Sequence, residues 1–455
     1  MSGRPIAVAT LLTLLVIATG GMLAGDGPST SDLRALLEAH GVEALPALPP
    51  PDPARYALGE ALFFDPILSG NRDIACATCH HPLLATGDGV SLGLGTGTSG
   101  LGPARFHMPG RPFIARHAPE LFNRGQPAWQ VMFWDGRVMQ EADGRFSTPA
   151  GEALPGGLSG VLAAQAMFPV TSPAEMRGFP GDVDIDGAEN TLALLDDPAL
   201  DPDYAAIWAA LTDRLLAVPG YVDLFRAAFP DMPPEQIGFQ HAAEAIAAYE
   251  AAAFAFADSP FDRFLAGDDT ALSNKARQGA WLFYGAAGCA RCHAGPLLTD
   301  QAFHNVAAPQ LGPGQEEEGP LDYGRGRRTH NPAEHFAFRT PPLRNVALTA
   351  PYLHNGAYTT LEGAVRHMIA PLDELRGYDP GQLTPELAAN IWNDPLTLEA
   401  ILSTLDPLAG SPMPLTDEDI AALLAFLEAL TDPAAADLSD LIPPAVPSGL
   451  PVGGY

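Results

Sequence analysis

The sequence predicts a mainly α protein of two units, joined and covered by long Gly/Pro-rich loops. Size, composition and periodicity carry that expectation. A chain of 455 residues exceeds what one hydrophobic core usually organises. With 47% apolar and 17% charged residues it has material for buried cores and does not read as disordered. The 46 Gly and 46 Pro residues imply many turns and irregular connections. Where regular structure is legible, apolar residues recur at helical spacing.

In chain order, Arg4 precedes an apolar run over residues 6–18 and then small residues, the pattern of a secretory signal over residues 1–25. An uncleaved N-terminal anchor is the alternative, because residues 6–23 approach membrane-spanning length. No cysteine lies near the cleavage region, which argues against a lipid anchor. Residues 29–40 form an amphipathic helix with Leu33, Leu36 and Leu37 on one face and Ser31 or Asp32 as cap. A Pro-rich connector follows, then a helical stretch over 56–64 and a Gly-rich loop over 87–110. Residues 240–256, rich in Ala, read as a helix, and Ser273 caps another running to Tyr284. Thr416 with Asp419 makes a capping box before a last helix to Leu430. Pro, Ala and Gly dominate beyond Asp432, so a weakly ordered tail is expected.

The four cysteines fall into two motifs, Cys76-Ala77-Thr78-Cys79-His80 and Cys289-Ala290-Arg291-Cys292-His293. Cys-x-x-Cys-His is the attachment signature of haem c. The two thiols can each form a thioether on one porphyrin edge while the adjacent His presents its imidazole to the iron. One tetrahedral zinc site or two dithiol redox pairs are the alternatives. A His after each pair, in a chain with an export signal, favours haem. The expectation is therefore two cytochrome c-like domains, each holding one covalent haem c. They occupy residues 26–263 and 264–434, with a Pro-rich tail over 435–455. A net charge of −30 leaves no basic surface for nucleic acid and suits a basic or dipolar partner, or solubility alone.

Further segments occur in a fixed order: Phe133-Trp134-Asp135-Gly136-Arg137, Ala164-Gln165-Ala166, Pro173-Ala174-Glu175-Met176, Leu343-Arg344-Asn345-Val346, Thr349-Ala350-Pro351-Tyr352-Leu353-His354-Asn355-Gly356 and Ala364-Val365-Arg366-His367-Met368. With the two haem motifs they make the chain resemble the bacterial di-haem cytochrome c peroxidases and their MauG-like relatives, from about Tyr56 to Leu430.

The resemblance implies that the C-terminal haem is the electron-entry site, with His293 proximal and Met368 distal, and that the N-terminal haem, on His80, is peroxidatic. A thioether ligand raises the potential of a His-ligated haem. Glu175 corresponds to the distal acid that moves a proton during peroxide cleavage. Gln165 corresponds to the amide that orients peroxide, and Trp134 to the ring relaying electrons between the haems. Thr349 and Pro351 correspond to residues whose carbonyls bind an interdomain calcium. Met368 otherwise reads as a core methionine, Glu175 as a surface carboxylate and Trp134 as core. The implied activity is periplasmic reduction of hydrogen peroxide with electrons from a small cytochrome c or cupredoxin, and the family allows a homodimer. The membrane is a partner only if the N-terminal segment is uncleaved.

There are departures. Leu94 stands where the family's peroxidases carry a His that caps the resting N-terminal haem, which suggests an open site; His107 or His81 is the rescue. His117 replaces an Asn that gives calcium a side-chain oxygen. Residues 143–160 form an insertion. The rivals are a MauG-like enzyme that oxidises a protein partner, favoured by Leu94 and opposed by Met368, and a non-catalytic electron carrier or redox sensor.

Overall fold

The computed structural model describes residues 28–196, 202–314, 319–410 and 413–454. The expected signal segment lies outside them. Helices dominate, joined by long irregular segments; the strands are short antiparallel pairs, the largest group being Val131–Met132, Val138–Gln140 and Phe146–Ser147 in that order. The last two form a hairpin that opens the expected insertion. Among the described residues no helix is long and apolar enough to cross a membrane.

Two helix crossings organise the molecule. Helix Pro53–Phe64 starts where Asp52 accepts the N–H groups of Ala54 and Arg55 and Pro53 presets the first turn. It crosses helix Phe239–Ala253 through Gly59, where an added Cβ would lie 1.9 Å from the Ala245 carbonyl oxygen and 2.8 Å from Tyr249 Cβ. Helix Asn274–Tyr284, capped by Ser273, crosses helix Asp417–Glu428, capped by Thr416 with Asp419. There an added Cβ on Gly279 would lie 1.9 Å from the Ala422 oxygen and 2.8 Å from Phe426 Cβ. The same crossing is built twice, each time with an aromatic four residues after the alanine. Glycine weakens a helix interior by about 1 kcal/mol, and here that cost admits a backbone contact no side chain would allow. Gly279→Val is expected to destabilise this crossing by about 3 kcal/mol or more, the scale of core overpacking, visible as a lowered thermal transition. An unchanged transition would mean that the close approach is not required.

Each crossing delivers a Cys-x-x-Cys-His motif shortly after its first helix. The cores are distinct. Leu58, Leu62, Ile246 and Trp208 belong to one cluster, and Phe261, Phe264, Phe283 and Phe426 to another.

The chain ends depart from the sequence expectation. Leu33 and Leu37 of helix Thr30–Ala39 pack in the C-terminal cluster with Phe264 and Phe283, and Arg34 pairs with Asp269 at 2.6 Å, so this helix joins the opposite half. The expected weak order of the tail is corrected. Ala435, Leu438 and Val446 are buried with Phe63, Phe64 and Phe122 of the N-terminal half. Ser448 Oγ donates to Asp65 at 2.7 Å, and the Gly453 N–H donates to the Phe64 carbonyl at 2.8 Å. Pro and Ala disfavour regular structure without preventing apolar burial, so composition alone misjudged this segment.

Candidate active site

The first motif forms a single helical turn, Cys76–Cys79. Thr78 Oγ accepts the Ala75 N–H at 2.8 Å and donates to the Gly453 carbonyl at 2.6 Å, so the tail fastens the turn from outside. His80 follows, with Nδ1 at 3.1 Å from the Thr86 carbonyl. A carbonyl only accepts, so Nδ1 carries the proton and Nε2 is left with the lone pair that can hold iron. Burial lowers the His80 pKa to about 4, which keeps the ring in its neutral, metal-binding form. His293 repeats the device, with Nδ1 at 3.1 Å from the Leu298 carbonyl and its pKa likewise lowered by burial. Burial pushes the thiols of Cys76, Cys79 and Cys289 up to about 12, 11 and 12. Among the described residues the one group of three or more His, Cys, Asp or Glu with converging ligand atoms is Cys292, Asp300 and His304. The two Cys pairs therefore do not form a single four-sulfur site.

Cys76, Cys79 and His80 open onto a cavity of about 470 Å³ whose wall also carries Trp134, Gln165 and Glu175. That volume lies within the roughly 300–1,000 Å³ usual for cofactor sites. Glu250, also on the wall, is 5% exposed, is pushed up to about 8 by burial, and has its Oε2 without a hydrogen-bond partner. A paired-thiol and imidazole donor set facing a largely apolar space with an orphaned polar atom fits haem c.

Local structure explains how these side chains arrive. Gln165 lies on helix Val161–Ala166. Glu175 lies on the single π turn Pro173–Arg177, capped by Ser172. The Gly-rich loop passes directly against it: an added Cβ on Gly95 would lie 1.7 Å from the Ala174 oxygen, and the Thr96 N–H donates to the Glu175 carbonyl at 2.9 Å. Burial raises the Glu175 pKa, and Arg137 Nη2, 3.6 Å from Oε1, opposes that shift. Trp134 is 8% exposed, donates its indole N–H to the His117 carbonyl at 2.9 Å, and accepts the Arg339 N–H on its own carbonyl at 2.8 Å. His117 thus holds the ring, and Arg339 of the C-terminal half holds the backbone that carries it.

The structure places the remaining candidates off the cavity wall, except His117, which lies on it. Leu94 is buried and bridges Phe113 through the backbone. His107 is off the cavity wall: Nδ1 lies 2.7 Å from Glu386 Oε1 and Nε2 2.7 Å from the Arg111 carbonyl. His81 accepts the Leu83 N–H on Nδ1 and is also off that wall. Met368 lies on helix Leu361–Ile369, 36% exposed, with no contact to His293 among those described. Thr349 donates its hydroxyl to the Val346 carbonyl at 3.1 Å. His117 Nδ1 lies 2.9 Å from the Val90 carbonyl, its pKa lowered to about 4 by burial, and offers no side-chain oxygen beside Thr349 and Pro351.

Sequence reasoning missed the charges around the cavity: Arg116, Asp135, Arg137, Glu250, Asp322 and Arg328. Asp135 and Arg137 stand in the motif that singled out Trp134. The others carry no local signal, because a buried charge is recognisable only from its partners.

The description of the di-haem cytochrome c peroxidase family matches residues 53–270. Over 398 residues, 87% of this chain and 84% of the relative, the sequence is 31% identical to methylamine utilization protein MauG of Methylorubrum extorquens. The chain belongs to the di-haem cytochrome c peroxidase family. This family member is also 33% identical to the cytochrome c551 peroxidase of Pseudomonas aeruginosa over 68% of the chain and 70% of the relative. A solved MauG-like protein associated with microbial copper homeostasis is similar at a TM-score of 0.57 and 25% identity, covering 86% of this chain and 96% of that one. The diheme peroxidase BthA of Burkholderia thailandensis shares the fold at a TM-score of 0.57 and 22% identity, over 87% and 91% of the two chains. Membership makes the protein a peroxidase-type oxidoreductase and implies two haem c groups. Peroxidase and MauG names both occur among its relatives.

Proposed function

We propose that this di-haem peroxidase reduces hydrogen peroxide to water in the periplasm, drawing electrons from a small cytochrome c or cupredoxin. The observation that carries the reading is the convergence of Glu175, Gln165 and Trp134 with Cys76, Cys79 and His80 on one cavity. Two haem units, 26–263 and 264–434, hold one group each through Cys76, Cys79 and His80 and through Cys289, Cys292 and His293. Met368, by its correspondence to the family's distal methionine, would hold the C-terminal group together with His293, and its thioether would raise that group's potential. The bound haem iron supplies the redox chemistry.

The protein supplies position and protons. Gln165 offers an amide that donates to one peroxide oxygen and accepts from the other. Glu175 would take the proton of the near oxygen and return it to the far one as the O–O bond breaks, releasing one water; the near oxygen leaves as the second water with two electrons from the donor and two protons. The carboxylate must be ionised to accept that proton, which Arg137 favours against burial. Trp134, immobilised by His117 and Arg339, keeps a conjugated ring between the halves. With His107 bonded to Glu386 and Arg111, and Leu94 buried, no histidine of the Gly-rich loop is poised to cap the cavity. This supports a site open in the resting enzyme; His117, the other histidine on the wall, has Nδ1 at the Val90 carbonyl. Calcium between the halves is supported by the correspondence of Thr349 and Pro351 and opposed by His117, which lacks an oxygen ligand.

A second reading has a specific observation behind it. The 31% identity to MauG spans 87% of this chain, and Leu94 removes the capping ligand, as oxidative modification of a protein partner would suit. Met368 favours the peroxidase.

The test is EPR of the fully oxidised protein, followed by one equivalent of peroxide without reductant. A high-spin ferric signal that reacts at once is expected. Two low-spin irons, inert until half-reduced, would instead mean that a ligand caps the site. Inertness even then would favour an electron carrier.

A further inference from the structure

The turn Phe133 to Arg137 gives the cavity more than Trp134. Arg137 Nη2 reaches to 3.6 Å from Glu175 Oε1, and the guanidinium lies over the Phe133 ring at 3.5 Å from its centroid. A stacked planar cation has little freedom left, so its distance to the carboxylate is set by the turn. Behind it Asp135, fully buried, contacts three arginines: Arg137 at 3.5 Å, Arg116 at 2.8 Å and Arg328 at 2.9 Å. Arg116 in turn grips Asp322 in a two-point contact at 2.7 and 2.8 Å. Asp322 and Arg328 come from the C-terminal half of the chain and close the network.

Charge explains why the network needs Glu175. Three guanidinium groups, Arg116, Arg137 and Arg328, face two carboxylates, Asp135 and Asp322. Glu175, on the wall of the cavity, is the group whose ionisation completes the neutralisation. The charged or titratable groups that face it are Arg137, Arg116 and Asp135 across the cavity and Cys79 from the haem motif. The Gly95 to Thr96 loop and Ser172 contribute only backbone and hydroxyl contacts.

We infer that Arg137, stacked on Phe133 and tied through Asp135 to Arg328 of the C-terminal half, is a positioning residue that fixes the Glu175 carboxylate on the cavity wall and balances its charge. This rests on the reading of Glu175 as the proton carrier. It adds a path by which the C-terminal half acts on the peroxide cavity: a displacement of Arg328 is felt by Asp135, then Arg137, then Glu175. An opposite charge within about 4–6 Å holds a carboxyl group down by about 1–3 pH units, so removing Arg137 moves the acid limb of any Glu175-dependent profile upward.

The experiment uses the protein with both haems attached and compares Arg137→Gln, Arg137→Lys and Glu175→Gln. Two quantities are followed against pH: the second-order rate with hydrogen peroxide, and the equilibrium affinity for cyanide, whose binding as HCN also needs a proton acceptor in the cavity. In Arg137→Gln both acid midpoints are expected to rise by about one unit or more, with a loss of about tenfold in rate below the parent's midpoint. Arg137→Lys is expected to restore part of the shift, and Glu175→Gln to abolish the titration. If Glu175→Gln abolishes it while Arg137→Gln leaves both midpoints in place, the positioning role is wrong and the proton-carrier reading stands. If Glu175→Gln leaves the profile intact, that reading falls and the inference with it. Should Arg137→Gln fail to fold or to load haem, Arg328→Gln carries the test: a smaller upward shift supports the tie through Asp135, and an unmoved midpoint overturns it.

Discussion

Glu175→Gln in the haem-loaded protein is expected to slow peroxide turnover by about 100- to 10,000-fold, the usual contribution of a positioned acid–base group, with haem content and thermal stability close to the parent's. The substitution keeps the shape of the side chain and removes its ability to take and return a proton. The π turn of Pro173–Arg177 is held by Ser172 and by backbone contacts that do not involve the carboxylate, so the fold is not expected to follow. Glu175 contacts Arg137 at 3.6 Å, longer than a hydrogen bond, and Arg137 keeps Asp135 as a partner at 3.5 Å, so the lost ion pair costs little stability beside the lost chemistry. Steady-state reduction of peroxide by a reduced small c-type cytochrome is the measurement. A rate within about threefold of the parent would remove Glu175 from the chemistry and leave its burial as a packing feature only.

Ending the chain at Pro433 is expected to destabilise the N-terminal half by about 3–6 kcal/mol, from the loss of two or three buried apolar side chains and their accompanying hydrogen bonds. The groups concerned are Ala435, Leu438 and Val446, which cover Phe63, Phe64 and Phe122, together with Ser448 on Asp65 and Gly453 on Phe64 and Thr78. Because Thr78 lies between the two cysteines of the first motif, the effect should be concentrated there. The first haem would be the one whose attachment yield falls. Calorimetry should show the transition of that half lowered by about 10 °C, on a scale of about 2–4 °C per kcal/mol for units of this size. Superimposable unfolding curves would mean that the tail rests on the surface without stabilising it.

The sequence by itself showed the two Cys-x-x-Cys-His motifs and five of the helices, and it missed others such as Tyr204–Leu216, Pro219–Ala228 and Pro395–Ser403. The attachment chemistry requires Cys, Cys and His within five consecutive residues, so nothing distant is needed to recognise it. Helix Asp417–Glu428 was legible because its cap and apolar spacing are local; of helix Pro53–Phe64 only the stretch from Tyr56 was, because its Asp52 cap lies in what reads as a Pro-rich connector. Glu175, Gln165 and Trp134 were legible through family resemblance, which orders segments along the chain without giving a distance between them. Tertiary structure alone decided which groups meet. Arg116, Asp135 and Asp322 come together across some 200 residues, and a sequence records no partner for a buried charge. The tail looked featureless because Pro, Ala and Gly carry no periodicity, yet the surface left apolar by Phe63, Phe64 and Phe122 gave it a place to bind. Helix Thr30–Ala39 showed its apolar face in the sequence and not its target; Phe264 and Phe283 of the opposite half supply it. Local interactions fix caps, turns and covalent attachment. Burial of apolar surface and neutralisation of charge depend on the whole chain, and those choices built the cavity.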